Sequence, residues 1–155
     1  MRSIVLGLAL LASVAACETS TDPFFGFGAT GVTAGQVTGN WSFTLHPASG
    51  CPTGSLPDGQ VLTAHLDVVA AGTVTSSTST WQTAGAAGSV SGSIDLSSGI
   101  TTTLALTATT GGAMELAGTF TSTGSFSGTL GDPRAGSLPV VFSVCNYTTT
   151  ATKTG

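Results

Sequence analysis

Charge is what this sequence most lacks. Asp, Glu, Lys and Arg together make up 6% of its 155 residues, with 3 basic side chains against 7 acidic ones. So few cations cannot form the basic stripe that neutralising a phosphate backbone demands, which excludes a nucleic-acid partner. Long apolar runs are missing as well. The strongest, starting at Ile4 and fading by Ala16, falls short of the ~20 residues that a membrane-spanning helix needs. Cysteines number 3 and show no C-x-x-C spacing, so the usual zinc frameworks are absent. Serine is plentiful, yet no Gly-x-Ser-x-Gly elbow occurs; "GSVSG" and "GSFSG" put Val90 and Phe126 where a nucleophile would stand. His65 and Asp67 share a strand face with His46 nearby and could hold a metal weakly, but a solvated polar face explains all three. Neither a metal, a cofactor nor catalysis is expected.

What is present begins with an address. Met1-Arg2-Ser3 followed by Ile4 to Leu11 has the positive start and short apolar stretch of an export signal, which would occupy residues 1–16. Its end, Val14-Ala15-Ala16-Cys17, resembles the lipobox of bacterial lipoproteins. The resemblance implies cleavage before Cys17, a diacylglycerol on its sulfur, and attachment to the membrane through that N-terminal lipid. Glu18, rather than the Asp that holds some enteric lipoproteins in the inner membrane, points by the same resemblance to the outer membrane of a cell envelope. Ordinary secretory cleavage after Ala16 is the competing reading. Once Cys17 is lipidated, Cys51 and Cys145 remain as an even pair, and in an oxidising compartment such a pair is expected to form a disulfide. Two buried free thiols are the alternative.

Residues 17–38 carry the lipidated cysteine and a Gly/Ser/Thr-rich stretch with little tendency to form helix, which reads as a flexible tether. Phe24, Phe25 and Phe27 lie within it, placed either to dip into the membrane interface or to fold back over the domain that follows.

That domain spans residues 39–155 and alternates with a period of two, which puts successive side chains on opposite faces of a strand. Trp41, Phe43 and Leu45 alternate with Ser42, Thr44 and His46; Leu62, Ala64 and Leu66 alternate with Thr63, His65 and Asp67. Continued along the chain, the pattern predicts about eight strands, from Trp41 to His46, Val61 to Val69, Thr73 to Gln82, Gly88 to Leu96, Ile100 to Thr109, Ala113 to Thr121, Ser125 to Leu130 and Leu138 to Thr150. Glycine turns separate them, and no connection is long enough for a crossover helix. The fold class is therefore all-β, an antiparallel up-and-down meander. Burying one apolar face per strand calls for a closed barrel or a two-sheet sandwich. Cys51 lies just past the first strand and Cys145 within the last; a closed barrel makes those strands neighbours, so closure is preferred.

The first strand, "VTGNWSFTL", is a Gly-x-Trp opening a small meander barrel and resembles the first strand of lipocalins and avidin-like proteins. In lipocalins the corresponding tryptophan closes one end of the barrel and packs against an arginine from a late strand. Gly39 and Trp41 match, and the late basic residues of this chain are Arg134 and Lys153. The resemblance implies an interior, lined in part by Trp41, Phe43, Trp81, Phe120, Phe126 and Phe142, that holds a small apolar ligand. The same side chains suit a filled interior, in which case the protein would be a structural or interaction module meeting a partner protein in the envelope.

Overall fold

The computed structural model describes residues 31–51, 55–131 and 145–155. The expected signal peptide, Cys17, the phenylalanines of the tether, Arg134, Phe142 and the start of the expected last strand lie outside the described residues. In chain order the elements are α1 (Ala34–Val37), β1 (Gly39–Pro47), β2 (Gln60–Leu66), β3 (Thr73–Val74), β4 (Thr80–Thr83), β5 (Ala86–Asp95), β6 (Ile100–Ala108), β7 (Ala113–Phe120), β8 (Ser125–Gly131) and β9 (Tyr147–Lys153).

Every pairing between these strands is antiparallel, and the sequence β1-β2-β4-β5-β6-β7-β8-β9 closes on itself through β9 and β1. The expected closed meander is thus the observed fold, and the sandwich alternative is set aside. Closure runs over a continuous register from Trp41 opposite Lys153 to Pro47 opposite Tyr147. With no edge left along this seam, the hydrogen-bonding groups of the first and last strands satisfy each other instead of offering a template to another chain.

The strand expected over Thr73 to Gln82 is interrupted. Its first piece, β3, pairs with the end of β5, and its second, β4, pairs with the beginning of β5 and with β2. Between them the chain turns around Asp67, whose backbone carbonyl accepts from the Thr75 N–H (2.9 Å), whose N–H donates to Ser79 Oγ (2.8 Å) and whose carboxylate accepts from Thr78 Oγ1 (2.6 Å). Ser and Thr compete with sheet ladders through such local bonds, and "TSSTST" supplies enough of them to break one strand into two.

The tether also ends earlier than expected. Thr33 and Gln36 form a reciprocal capping box, with Gln36 Oε1 accepting from Thr33 N–H (2.7 Å) and Thr33 Oγ1 accepting from Gln36 N–H (3.2 Å). That pair satisfies orphan donors at the start of α1. Val32 and Val37 are buried against the core, so residues from Val32 onward belong to the barrel.

Candidate functional site

Four of the side chains expected to line the interior pack on each other. Trp41 and Phe120 meet edge to face with centroids 4.9 Å apart, Phe43 and Phe126 do the same at 5.5 Å, and Phe120 and Phe126 lie 4.7 Å apart. Edge-to-face and tilted geometries at these separations are the attractive ones for aromatic quadrupoles. All four rings are buried, as is Trp81. Of the ligand-lining candidates, the structure therefore brings Trp41, Phe43, Phe120 and Phe126 into contact, places Trp81 in the same core on β4, in register with Trp41 through Ala64, and does not describe Phe142.

The barrel is stopped at both ends. At one, α1 lies across the opening with Val37 inward, and the Val37 carbonyl accepts the Trp41 indole N–H at 2.7 Å in a fully buried bond. At the other, Leu56 folds inward and its N–H donates to Tyr147 Oη at 3.1 Å, beside the Cys51–Cys145 disulfide. Cys51 and Cys145 have Cα atoms 5.0 Å apart, a separation suited to the bond. The expected pairing of these cysteines is present. Thr149, on the inner face of β9, is completely buried, and its hydroxyl has no partner among the described residues.

Lys153 stands directly opposite Trp41 in the closing register. Its ammonium donates to the carbonyls of Gly35 (3.0 Å) and Gln36 (3.1 Å), which end α1 without helical partners. A cation at a helix C-terminus also complements the partial negative charge there. The lysine stem passes so close to Gly39 that a Cβ at that position would lie 2.7 Å from Lys153 Cε, and Gly39 has φ +135°. The glycine of the Gly-x-Trp pair is thereby accounted for by a contact ~110 residues away along the chain that no local pattern reveals.

The three residues weighed as weak metal ligands go to separate partners. His46 pairs with Asp58 (2.7 Å), His65 with Asn40 Oδ1 (2.9 Å) and Asp67 with Thr78. Among the described residues no group of three or more His, Cys, Asp or Glu is placed to hold a metal ion. Asp95 is held below the usual aspartate range, chiefly by the Ser97 hydroxyl, with the Ser98 hydroxyl and the Ser97 N–H adding to the effect. It closes the β5–β6 turn.

A groove of about 920 Å³ crosses β1, β2, β4, β5 and β6, lined mostly by residues on the outward parity of these strands and reaching the inward Trp41 and Trp81 between them. Its lining includes Asn40, Thr63, His65, Thr80, Gln82 and Thr107. Sequence patterning gives no sign of it, because outward Thr and Ser read the same whether they line a groove or face open solvent.

No protein-family model, no curated protein and no solved structure matches this chain.

Proposed function

We propose that this protein is a non-catalytic lipoprotein of the bacterial cell envelope, held to the outer membrane by a lipid on Cys17, whose barrel is filled by its own side chains and which acts through its surface. The observation that carries the proposal is the interlocked ring cluster of Trp41, Phe43, Phe120 and Phe126, with an end closure at α1 and another at Leu56 and Tyr147. Opening a ligand cavity there would require separating rings that are each worth about 2–3 kcal/mol through burial alone. Export is supported by the apolar leader and its lipobox, and agrees with a disulfide between the two remaining cysteines.

A lipocalin-like reading of the barrel draws support from Trp41 and Lys153. Their opposition in the closing register, with the amine capping the short helix that stops one end, corresponds to the tryptophan and late basic residue of that family. On that reading a small apolar ligand in the interior remains the rival function.

Two measurements on the membrane-extracted protein test these statements. Intact mass should show a diacylglycerol-bearing Cys17, and Cys17→Ser should accumulate as uncleaved precursor; a soluble, unmodified chain starting at residue 17 would end the lipoprotein reading. Native mass spectrometry should show the bare protein mass. A stoichiometric co-purified apolar molecule would replace the filled-barrel reading with that of a ligand carrier.

A further inference from the structure

We infer that the outer-wall groove is a binding site for a neutral, polyhydroxylated ligand, a glycan chain. The groove exists because of the way β5 is built. Gly88 faces inward, and where its Cβ would stand lie the Thr107 carbonyl of β6 and the Trp81 indole nitrogen, which donates to that carbonyl at 3.2 Å. Only a residue without a side chain lets the neighbouring strand fold in this closely, and such glycine kinks bend a sheet locally. Drawing the wall inward at β5 and β6 hollows it on the outside, where the residues are small.

The chemistry of the hollow selects the ligand. Its lining contains no Lys, Arg, Asp or Glu, and its one titratable side chain, His65, is already bonded to Asn40 Oδ1, so a charged ligand would lose hydration with little return. Apolar surface from Trp41, Trp81 and Ala108 predominates over the polar groups that Thr80, Gln82 and Thr107 present, so the hollow is amphipathic rather than uniformly polar or apolar. Some polar groups are already engaged: Asn40 with His65, and Thr63 Oγ1 weakly with the Gln82 carbonyl at 3.5 Å. The side-chain groups of Thr80, Gln82 and Thr107 have no partner among the described residues, which leaves donors and acceptors free in one place. Threonine carries a methyl and a hydroxyl on one carbon, and a sugar ring likewise alternates C–H and O–H, so each face can satisfy the other. The volume lies within the usual span for ligand sites, and its open form, with lining drawn from five strands, suits a chain better than a compact molecule.

The site does not depend on Cys17, and its test reads the outward Thr80 and Gln82 rather than the interior rings, so it leaves the proposed function untouched. Full-length ¹⁵N-labelled protein, extracted in an amine-oxide detergent that carries no sugar headgroup, is titrated by NMR with maltohexaose, chitotetraose and mannohexaose, and with a heparin oligosaccharide as the charged comparator. At least one neutral oligosaccharide should shift the amides of Thr63, Thr80, Gln82 and Thr107 saturably at up to about 10 mM, the weak-affinity regime of an open groove. Gln82→Ala and Thr80→Ala, both outward-facing and expected to retain the parent spectrum elsewhere, should each weaken that binding about tenfold. Saturable shifts confined to other faces, an equal response to heparin, or no response to any of the three neutral chains would overturn the inference.

Discussion

Single residues in this barrel are constrained most tightly where they have no side chain. Gly118 and Gly128 face each other across β7 and β8, and the edge of the Phe126 ring rests over both; a Cβ would stand 2.5 Å from Phe126 Cζ at the first and 2.8 Å at the second, with strand backbone closer still. An aromatic laid over inward glycines fills the space their missing side chains leave. Gly128→Ala should therefore lose about 2–3 kcal/mol in a denaturant titration through overpacking, whereas Gly35→Ala, with open space around its Cβ and no positive φ, meets no such obstruction. The repeated "GSVSG" and "GSFSG" acquire a physical meaning here: Val90 and Phe126 point inward, Ser89 and Ser91 or Ser125 and Ser127 do not, and Gly88, Gly92 and Gly128 share the inward parity where neighbouring backbone closes in. That parity was readable from period two alone, but the reason for glycine was not, because it depends on carbonyls of another strand. Asp95 is constrained electrostatically. Its carboxylate titrates below the ordinary aspartate value because the Ser97 and Ser98 hydroxyls bind the charged form. The folded-state value is depressed, so the contribution to stability is present above the unfolded aspartate value and disappears as pH falls through the folded one. Carboxyl NMR should place the Asp95 midpoint below that of a model aspartate, and Asp95→Asn should flatten the acid limb of the stability profile.

Among the elements, the long alternating strands were legible and the interruptions were not. β1, β5, β6, β7 and β8 fall within a few residues of the expected spans because one face of each is apolar, and a one-residue slip would expose the whole inner set. α1 is not legible because a single turn of four residues containing Gly35 is too short to show a helical period; what forms it is the Thr33–Gln36 capping box, the burial of Val37 and the lysine at its end. β3 and β4 were merged because Thr has strand propensity wherever it occurs, and only the bonds to Asp67 show that Thr75, Thr78 and Ser79 serve a turn. The helix stop gives a sharp expectation. Lys153→Met keeps the stem over Gly39 but removes the ammonium from the Gly35 and Gln36 carbonyls. Loss of charge-assisted bonds at a part-exposed position should cost about 1 kcal/mol. Hydrogen exchange should rise at Val37 to Asn40 while β6 to β8 stay protected, a local opening of one barrel end.

For the whole molecule the decisive relation is between chain order and closure. Seven of the eight seams around the barrel join strands that follow one another with only short or moderate connections, but β1 and β9 lie at opposite ends of the described barrel and pair across nearly its whole sequence. Contacts of such high sequence separation carry the largest loop-closure cost. The Cys51–Cys145 disulfide, linking residues separated by 94 positions, falls at one end of that seam, two residues beyond the Tyr147 that pairs with Pro47. Here the cysteine arithmetic of the sequence and the topology agree for a physical reason, since a staple is most useful across the one pairing that the chain does not hold together locally. In the chain-entropy account a loop of this size is worth about 4–5 kcal/mol, with native strain subtracting from it. The Cys51→Ser, Cys145→Ser double variant should therefore lose several kcal/mol in urea, and its first hydrogen-exchange opening should run along β1 and β9 rather than β6 and β7. Freed of that seam, the threonine-rich β9 and a β1 without Asp, Glu, Lys or Arg present open edges to other chains, so the variant should also aggregate on mild heating where the oxidised protein stays dispersed. If the double variant matched the parent in both urea midpoint and exchange along β1 and β9, the seam would be holding by its register and inward packing alone, and the disulfide would have to be understood as securing the loop that follows β1 rather than the barrel.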